Sequence, residues 1–481
     1  MYNKNIHIHF IGIGGIGMSG IALILKQQGY TVSGCDEDLS QPTITQLKNV
    51  GCTIHHHNNS PECKKISPDI VVYIPMYEHT IPAITAEIKH TRERKIITVT
   101  RAQMLAELMR TKYSIAVTGS HGKTTTSALI SHILLAAQYD PTIVIGGHIK
   151  TINSNAHKGN GDFFVAEADE SDRSFLQLNP TINVITNIDI EHLETYKDLT
   201  DIKNTYLTFI KNVPFYGKTI ACIDDEHTRA LIQEHTLSVI TYGIHQSADL
   251  YASNIMLTAD SSTFTVHKKN NLLPLGTATV PIPGIHNVYN TLAAITVAHE
   301  IGIDFQTISQ TLASFEGVDR RFSYHGTYKG ADIFDDYGHH PKEIEHILTI
   351  AHKRAKNKLI IIFQPHRYTR TQKLWSDFIT TLNSPQIGTL IITDIYSAGE
   401  APIATITSKR LVEELKSINP QLNVHYIPFE DNFDLIKQAL DSSIQTGDLV
   451  VLLGAGKMHL LAPQLIDPFD KPFDRLRANG N

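Results

Sequence analysis

The chain has 481 residues and carries a formal charge of −6, with acids and bases interspersed and 42% hydrophobic residues. That length accommodates about three domains, and with no basic face or polybasic run there is no case for a nucleic-acid or membrane-surface partner. Four cysteines without C-x-x-C pairing fit a reducing cytosol, where their expected role is packing, and no apolar run reaches membrane-spanning length.

In chain order, residues 6–11 alternate apolar and polar as a strand and run into Gly12, Gly14, Gly15 and Gly17. A helix is predicted over 18–28, then a strand from Thr31 ending at Asp36. This is a βαβ nucleotide-binding opening in the G-x-G-x-x-G frame, with an acid about 20 residues on; many nucleotide diphosphates use the same turn. The run His55, His56 and His57 reads as solvated loop. Strands over 70–74 and 96–99 extend an open α/β sheet, and 101–110 reads as an amphipathic helix.

Next comes the stretch around which the chain is organised, with a buried strand over 114–117, the loop Gly119-Ser-His-Gly-Lys-Thr-Thr125 and a helix from Thr125. Gly119 and Gly122 let backbone N–H groups turn into a concavity. Lys123 supplies a full positive charge, and Thr124 offers a hydroxyl to Mg²⁺. The loop is shorter than the common phosphate loop, because Val117 stands where its first glycine would be.

A strand over 163–167 then ends in Glu167-Ala-Asp-Glu-Ser-Asp172, where Glu167 is the carboxylate expected to help hold Mg²⁺. The strand 182–186 delivers Asn187 and then His192, either a structural histidine or one that meets a metal or phosphate. Pro281-Ile-Pro-Gly284 breaks the chain before a helix through Ala298; Asn287 and Asn290 share one face of it, placed to read an adenine edge or to cap the helix. The stretch 315–322 reads as a junction. Beyond it, strands over 331–334, 359–363 and 390–393 run into polar residues and a strand over 449–453 into Gly454-Ala-Gly456, at the strand ends where ligands bind in open α/β sheets. Residues 467–481 are polar without period and are expected to be disordered.

With these motifs in order, the sequence resembles the Mur ligases over nearly its whole length, from His9-Phe-Ile-Gly-Ile-Gly-Gly-Ile-Gly17 to Gly454-Ala-Gly456. Gly119-Ser-His-Gly-Lys-Thr-Thr125 is similar to that family's short phosphate loop. Arg101-Ala-Gln-Met-Leu-Ala-Glu-Leu-Met-Arg110, Glu167-Ala-Asp-Glu-Ser-Asp172, Asp335-Asp-Tyr-Gly-His-His-Pro341 and Gln364-Pro-His-Arg-Tyr-Thr-Arg370 are similar to further family signatures. The chain departs from the pattern at Tyr73-Ile-Pro-Met-Tyr77 and Ser397-Ala-Gly-Glu400.

The resemblance implies an α/β protein of three domains: a Rossmann-like UDP-sugar domain (1–110), a central P-loop ATPase-type domain (111–316) and a Rossmann-like amino-acid domain (317–466). It implies a cytoplasmic amide ligase whose substrates are UDP-N-acetylmuramate, L-alanine and ATP, with Mg²⁺ as cofactor. In that reading Gly12, Gly14, Gly15, Gly17 and Asp36 bind the UDP-sugar. Gly119, Ser120, His121, Gly122, Lys123, Thr124, Thr125, Asn287, Asn290, Arg321 and Asp336 bind ATP, and Thr124, Glu167 and His192 hold metal. Lys123, Glu167, His192 and Arg321 are the catalytic set, and Tyr337, His339, His366, Arg367 and Arg370 bind the amino acid. Alternatives are the family's murein-tripeptide recycling ligase, an NAD(P)-dependent oxidoreductase resting on the first glycine loop, and a non-enzymatic nucleotide switch.

Overall fold

The computed structural model describes residues 4–466 apart from 59, 193–194 and 236, together with the backbone but not the side chains of 79 and 80. The tail from 467 onward, expected to be disordered, lies outside the described residues. The chain divides into two compact units, one running through Val318 and the other starting at Asp319.

The first unit opens with a five-stranded, all-parallel sheet. Its strands are β1 (His7–Ile11), β2 (Thr31–Asp36), β3 (Thr53–His56), β4 (Ile70–Tyr73) and β5 (Ile97–Thr100), in spatial order β3-β2-β1-β4-β5. Strand alternation divides β1 and β2 between two cores. Ile8, Phe10 and Val32 pack with Ile21, Ile24 and Leu25 of the helix Ile16–Gln27, while Ile11 and Cys35 pack on the other face with Cys63, Ile84 and Ile88. Of the three histidines expected in a loop, His55 and His56 lie in the edge strand β3 and His57 follows it outside the strand; His56 and His57 are exposed, and His57 Nδ1 lies 2.8 Å from Glu37 Oε2. An edge strand exposes side chains as a loop does, so polarity alone does not distinguish the two.

A ten-stranded sheet follows in the same unit. Its strands are β6 (Tyr113–Thr118), β7 (Thr142–Ile149), β8 (Ser154–His157), β9 (Phe163–Glu167), β10 (Ile182–Ile185), β11 (Lys218–Cys222), β12 (Ile240–Gly243), β13 (Leu250–Leu257), β14 (Ser262–Lys268) and β15 (Gly276–Val280). The order is β15-β14-β13-β12-β11-β10-β6-β9-β7-β8, so β6 sits centrally between β9 and β10, and all three run parallel. Buried on both faces, β6 carries Ile115, Ala116 and Val117 at 0% exposure, and its chain end lifts the glycine loop to the carboxyl edge of the sheet. The helices Lys123–Ala136 and Ile285–Ile301 share one core through Leu129, Ile133, Leu292 and Ile295.

The second unit holds six strands: β16 (Ser323–Tyr328), β17 (Ala331–Asp336), β18 (Leu359–Phe363), β19 (Thr389–Ile392), β20 (Val424–Tyr426) and β21 (Leu449–Leu453). Their order is β16-β17-β21-β18-β19-β20; all pairs are parallel except β16 with β17. Among the described residues, no helix is long and apolar enough to cross a membrane.

Candidate active site

The loop between β6 and the helix Lys123–Ala136 is shaped by contacts that forbid side chains at its glycines. Gly119 has φ +132°, and a Cβ there would collide with Thr186 Oγ1 and come within 2.9 Å of Asn187 O. Gly122 has φ +85° and lies against Asn290 Oδ1. Only glycine fits this backbone and this proximity together. From the other side, Asn187 Oδ1 accepts a hydrogen bond from the His121 N–H at 2.9 Å, its O accepts from the Ser120 N–H at 3.1 Å, and Thr186 Oγ1 donates to His121 O at 2.6 Å. The strand end beside β6 thus sets the loop's shape.

Lys123 Nζ reaches back to Gly119 O at 2.5 Å, Ser120 O at 3.2 Å and Glu170 Oε1 at 2.8 Å. Burial pulls the lysine down, but Glu170 and Glu167 outweigh it and hold Lys123 above its ordinary value. It is a permanent cation. Thr124 Oγ1 donates to Glu167 Oε2 at 2.9 Å, an oxygen that also accepts from the Gly146 N–H at 2.9 Å. His192, at φ +55°, brings Nε2 to 3.7 Å from Glu170 Oε1 and 3.5 Å from Glu191 Oε2. Ligand atoms of Glu170, Glu191 and His192 lie within 4.8 Å of one another, and the buried Glu170 Oε2 has no hydrogen-bond partner among the described residues. A hydroxyl, two kinds of carboxylate and an orphaned carboxylate oxygen are the donor set that a hard dication requires, so the residues fit Mg²⁺.

Thus Gly119, Ser120, His121, Gly122, Lys123, Thr124, Glu167 and His192 come together at one sheet edge, with Thr125 in the first turn of the helix. Asn290 is buried behind Gly122, where its Nδ2 donates to Asn287 Oδ1 at 3.1 Å, and Asn287 Nδ2 donates to Pro283 O at 2.7 Å. These amides brace the loop and the start of their own helix. Glu170, Glu191 and Asn187 were not assigned from sequence; Glu170 lies in the same acidic run as Glu167, and Glu191 adjoins His192.

At the first glycine loop, Gly12 has φ +74°, and the N–H groups of Gly12 and Ile13 donate to Cys35 O at 2.9 and 3.0 Å. Asp36 Oδ2 accepts from the Gly14 N–H at 2.8 Å and Oδ1 from the Asp38 N–H at 3.0 Å, so this carboxylate fastens the loop. Desolvation raises its pKa. Gly17 lies against Arg101, whose Nη2 is 3.1 Å from Asp169 Oδ2. Against the effect of burial, Arg101 holds the Asp169 carboxyl at about 2. Arg101 therefore ties the first glycine loop to the acidic end of β9, a role not read from the sequence.

In the second unit, Tyr337, His339, His366 and Tyr396 form a chain of rings at the carboxyl edge, with successive centroids 5.4, 5.6 and 5.5 Å apart. Arg320 and Arg321 lie over the Tyr337 ring at 4.7 and 5.4 Å, and Arg370 Nη1 is 3.2 Å from His366 Nδ1. Arg367, at φ +69°, starts the helix Tyr368–Lys373, and its buried Nε has no hydrogen-bond partner among the described residues. Burial drives His339 down to about 3, and burial with neighbouring His339 and Arg370 drives His366 to about 2; both rings are neutral. Burial pushes the Asp336 carboxyl up to about 7, although the N–H groups of Phe322 and Gly338 donate to it at 2.7 and 2.6 Å. The arginine, tyrosine and histidine candidates of this unit thus share one edge.

Three family profiles match the chain in succession: the Mur ligase family catalytic domain over 7–113, the Mur ligase middle domain over 117–298 and the Mur ligase glutamate ligase domain over 320–456. The UDP-N-acetylmuramate–L-alanine ligase of Desulfotalea psychrophila is 44% identical, covering 95% of this chain and 97% of its own. Among solved structures, the UDP-N-acetylmuramate–alanine ligase MurC of Thermotoga maritima matches with a TM-score of 0.81 and 26% identity over 97% of this chain and 99% of its own. The murein peptide ligase Mpl of Psychrobacter arcticus matches at 0.72 and 25%, over 96% and 98%.

Proposed function

The chain belongs to the Mur ligase family, and on that premise we propose that it joins L-alanine to UDP-N-acetylmuramate at the expense of ATP, in the synthesis of the peptidoglycan precursor. The lactyl carboxylate attacks the γ-phosphorus, ADP leaves, and an acyl phosphate forms. The alanine amine then adds to the acyl carbon, phosphate departs with the C–O bond, the amine's proton passes to solvent, and an amide remains.

The observation that carries the chemistry is the glycine loop with Lys123 at its mouth. Two anions must meet in line, so catalysis is positioning and charge neutralisation. Backbone N–H groups of the loop and the amino terminus of the helix Lys123–Ala136 receive phosphate oxygens, and Lys123, tethered by Glu170, holds its charge against them. Thr124, Glu167 and His192, with Glu170 and Glu191 beside them, are the residues that would hold Mg²⁺, which when bound supplies Lewis-acid neutralisation of the phosphates. Gly12, Gly14, Gly15 and Gly17 receive the sugar nucleotide's diphosphate within a domain of 1–110, and ATP belongs to 111–316. Arg321 and Asp336 are assigned to the nucleotide. In 317–466, Arg367 and Arg370 meet the amino-acid carboxylate, while Tyr337, His339 and His366 wall its small side chain. The two imidazoles are neutral and so leave the arginines as that pocket's positive charges.

The likeness to full-length alanine ligases favours L-alanine over a preformed tripeptide. The test is phosphate release from ATP, Mg²⁺ and UDP-N-acetylmuramate with and without each amino donor. Release that requires L-alanine is expected. Release that requires a murein tripeptide and ignores L-alanine would overturn the reading in favour of the recycling reaction.

A further inference from the structure

Far from the phosphate loop in sequence, the first sheet contains a group of side chains that the ligase chemistry does not use. His9 on β1, Cys35 on β2, Cys63 on the helix Pro61–Lys65 and Glu87 on the helix Pro82–Glu93 converge on the face opposite the helix Ile16–Gln27. One ligand atom from each lies within 4.8 Å of every other. All four are buried, at 3, 0, 7 and 6% exposure. Their placement follows from the strand period: His9 and Ser33 pair in register, as do Ile11 and Cys35, so the odd-numbered residues of both strands share this face.

The edges that Glu87 makes with His9 and with Cys35 match those of a tetrahedral, thiolate-rich site. Bonds of about 2.3 Å to sulfur and about 2.0–2.2 Å to nitrogen and oxygen imply ligand–ligand edges of roughly 3.3–3.8 Å. His9 Nε2 lies 3.3 Å from Glu87 Oε1, and Cys35 Sγ lies 3.4 Å from both Glu87 oxygens. Apart from its approach to Glu87, His9 Nε2 has no hydrogen-bond partner among the described residues, while its Nδ1 is 2.8 Å from Ser33 Oγ, which is in turn 2.7 Å from His7 Nε2. When Nδ1–H donates to Ser33 and the Ser33 hydroxyl donates to His7, the Nε2 lone pair faces the cluster, the outer-shell arrangement of ligating histidines.

We propose that His9, Cys35, Cys63 and Glu87 form a structural site for a thiophilic divalent cation of the Zn²⁺ type, tying β1, β2 and two covering helices together. Four protein ligands leave no open position, so the site is structural rather than catalytic. On binding, the two S–H bonds break, two sulfur–metal bonds form, and the thiol protons go to solvent. Softness separates this site from the oxygen-rich cluster at Glu170: a dication of the Mg²⁺ type prefers the latter.

Cobalt provides the test, because Co²⁺ replaces Zn²⁺ in tetrahedral sites and a thiolate ligand gives it a charge-transfer absorption. Cys52 and Cys222 lie in other hydrophobic cores, so among the four cysteines only Cys35 and Cys63 can produce that signal. The reduced, chelator-treated full-length chain is titrated with Co²⁺ and then with Zn²⁺. Expected are one equivalent of thiolate-bound Co²⁺, its displacement by Zn²⁺, loss of the band in Cys35→Ser and in Cys63→Ser, and a rise in wild-type Tm of roughly 5 °C or more at saturating Zn²⁺. No charge-transfer band in the wild-type chain would overturn the proposal, whether or not the variants fold. A band that survives in the Cys35→Ser/Cys63→Ser double variant, or a Cys35–Cys63 disulfide with no metal uptake after reduction, would also overturn it.

Discussion

Asp336 offers a quantitative test of how the second unit is built. Its carboxyl, buried at the end of β17, titrates near 7 in the folded chain and at its ordinary 3.8 when the chain is unfolded. Because the folded pKa is the higher one, the folded unit holds the extra proton between these values. The group's contribution to stability is therefore complete below the unfolded pKa and is lost as pH rises through the folded one. At about 1.4 kcal/mol per pH unit for one proton, raising pH from about 5.5 to about 8 removes about 2 kcal/mol. Asp336→Asn cannot titrate. It loses one acceptor for the Phe322 and Gly338 N–H groups and is destabilised by about 1–3 kcal/mol, but equally at both pH values. The chain's one tryptophan, Trp375, starts a helix of this unit and donates from Nε1 to Glu414 Oε2 at 2.9 Å, so its fluorescence follows this unit in a urea titration. The buried neutral His339 and His366 act in the opposite direction, stabilising above the ordinary histidine pKa and losing that contribution as pH falls, but they do so in both proteins. The wild-type midpoint, measured relative to the variant, should thus fall by about 1 M urea over this range. Midpoints that move in parallel would refute a carboxyl held protonated by burial.

Lys123→Ala should reduce turnover by at least about 10²–10³-fold while calorimetry still detects UDP-N-acetylmuramate binding, since the first glycine loop is separate from the second; loss of that binding in a folded variant would refute the separation. Gly119→Ala forces a side chain into φ +132° and against Thr186 Oγ1, so KM for ATP should rise about tenfold or more, and adding Thr186→Ala should recover part of the loss; an unchanged KM would mean the loop is not the phosphate site.

Much of the fold was legible because parallel strands buried on both faces read as short apolar runs. The strands at 114–117, 163–167, 359–363 and 449–453 were all visible in that way; the first three hand a polar motif to the sheet's carboxyl edge and the last hands it Gly454-Ala-Gly456. Strands β7, β8, β11, β12, β16 and β20 and the meander β13 to β15 have no counterpart among the runs read from the sequence. The meander is antiparallel and half-solvated, with Ser262, Thr263 and Thr265 standing where an apolar run would have marked a strand.

The site residues divide along the same physical line. A backbone demand is local and is written in residue type, so Gly119, Gly122 and Gly12 marked their loops directly. A side chain's direction is not local. Asp36 carries the acid that a ribose contact would need, yet its oxygens accept from Gly14 and Asp38 and hold the loop itself. Asn290 lies three residues after Asn287, yet the close approach of Gly122 buries it beneath the second glycine loop. Glu170 stands in an acidic run where Glu167 was equally plausible, and only packing distinguishes the oxygen that pairs with Thr124 from the one that tethers Lys123. The same reasoning applies to His9, Cys35, Cys63 and Glu87. Their spacings of 26, 28 and 24 match no linear metal motif, because the cluster is created by the register of β1 on β2 and by two helices that cover one sheet face. A constellation assembled by register is therefore invisible until the sheet is formed, whereas a loop that needs glycine announces itself in the sequence.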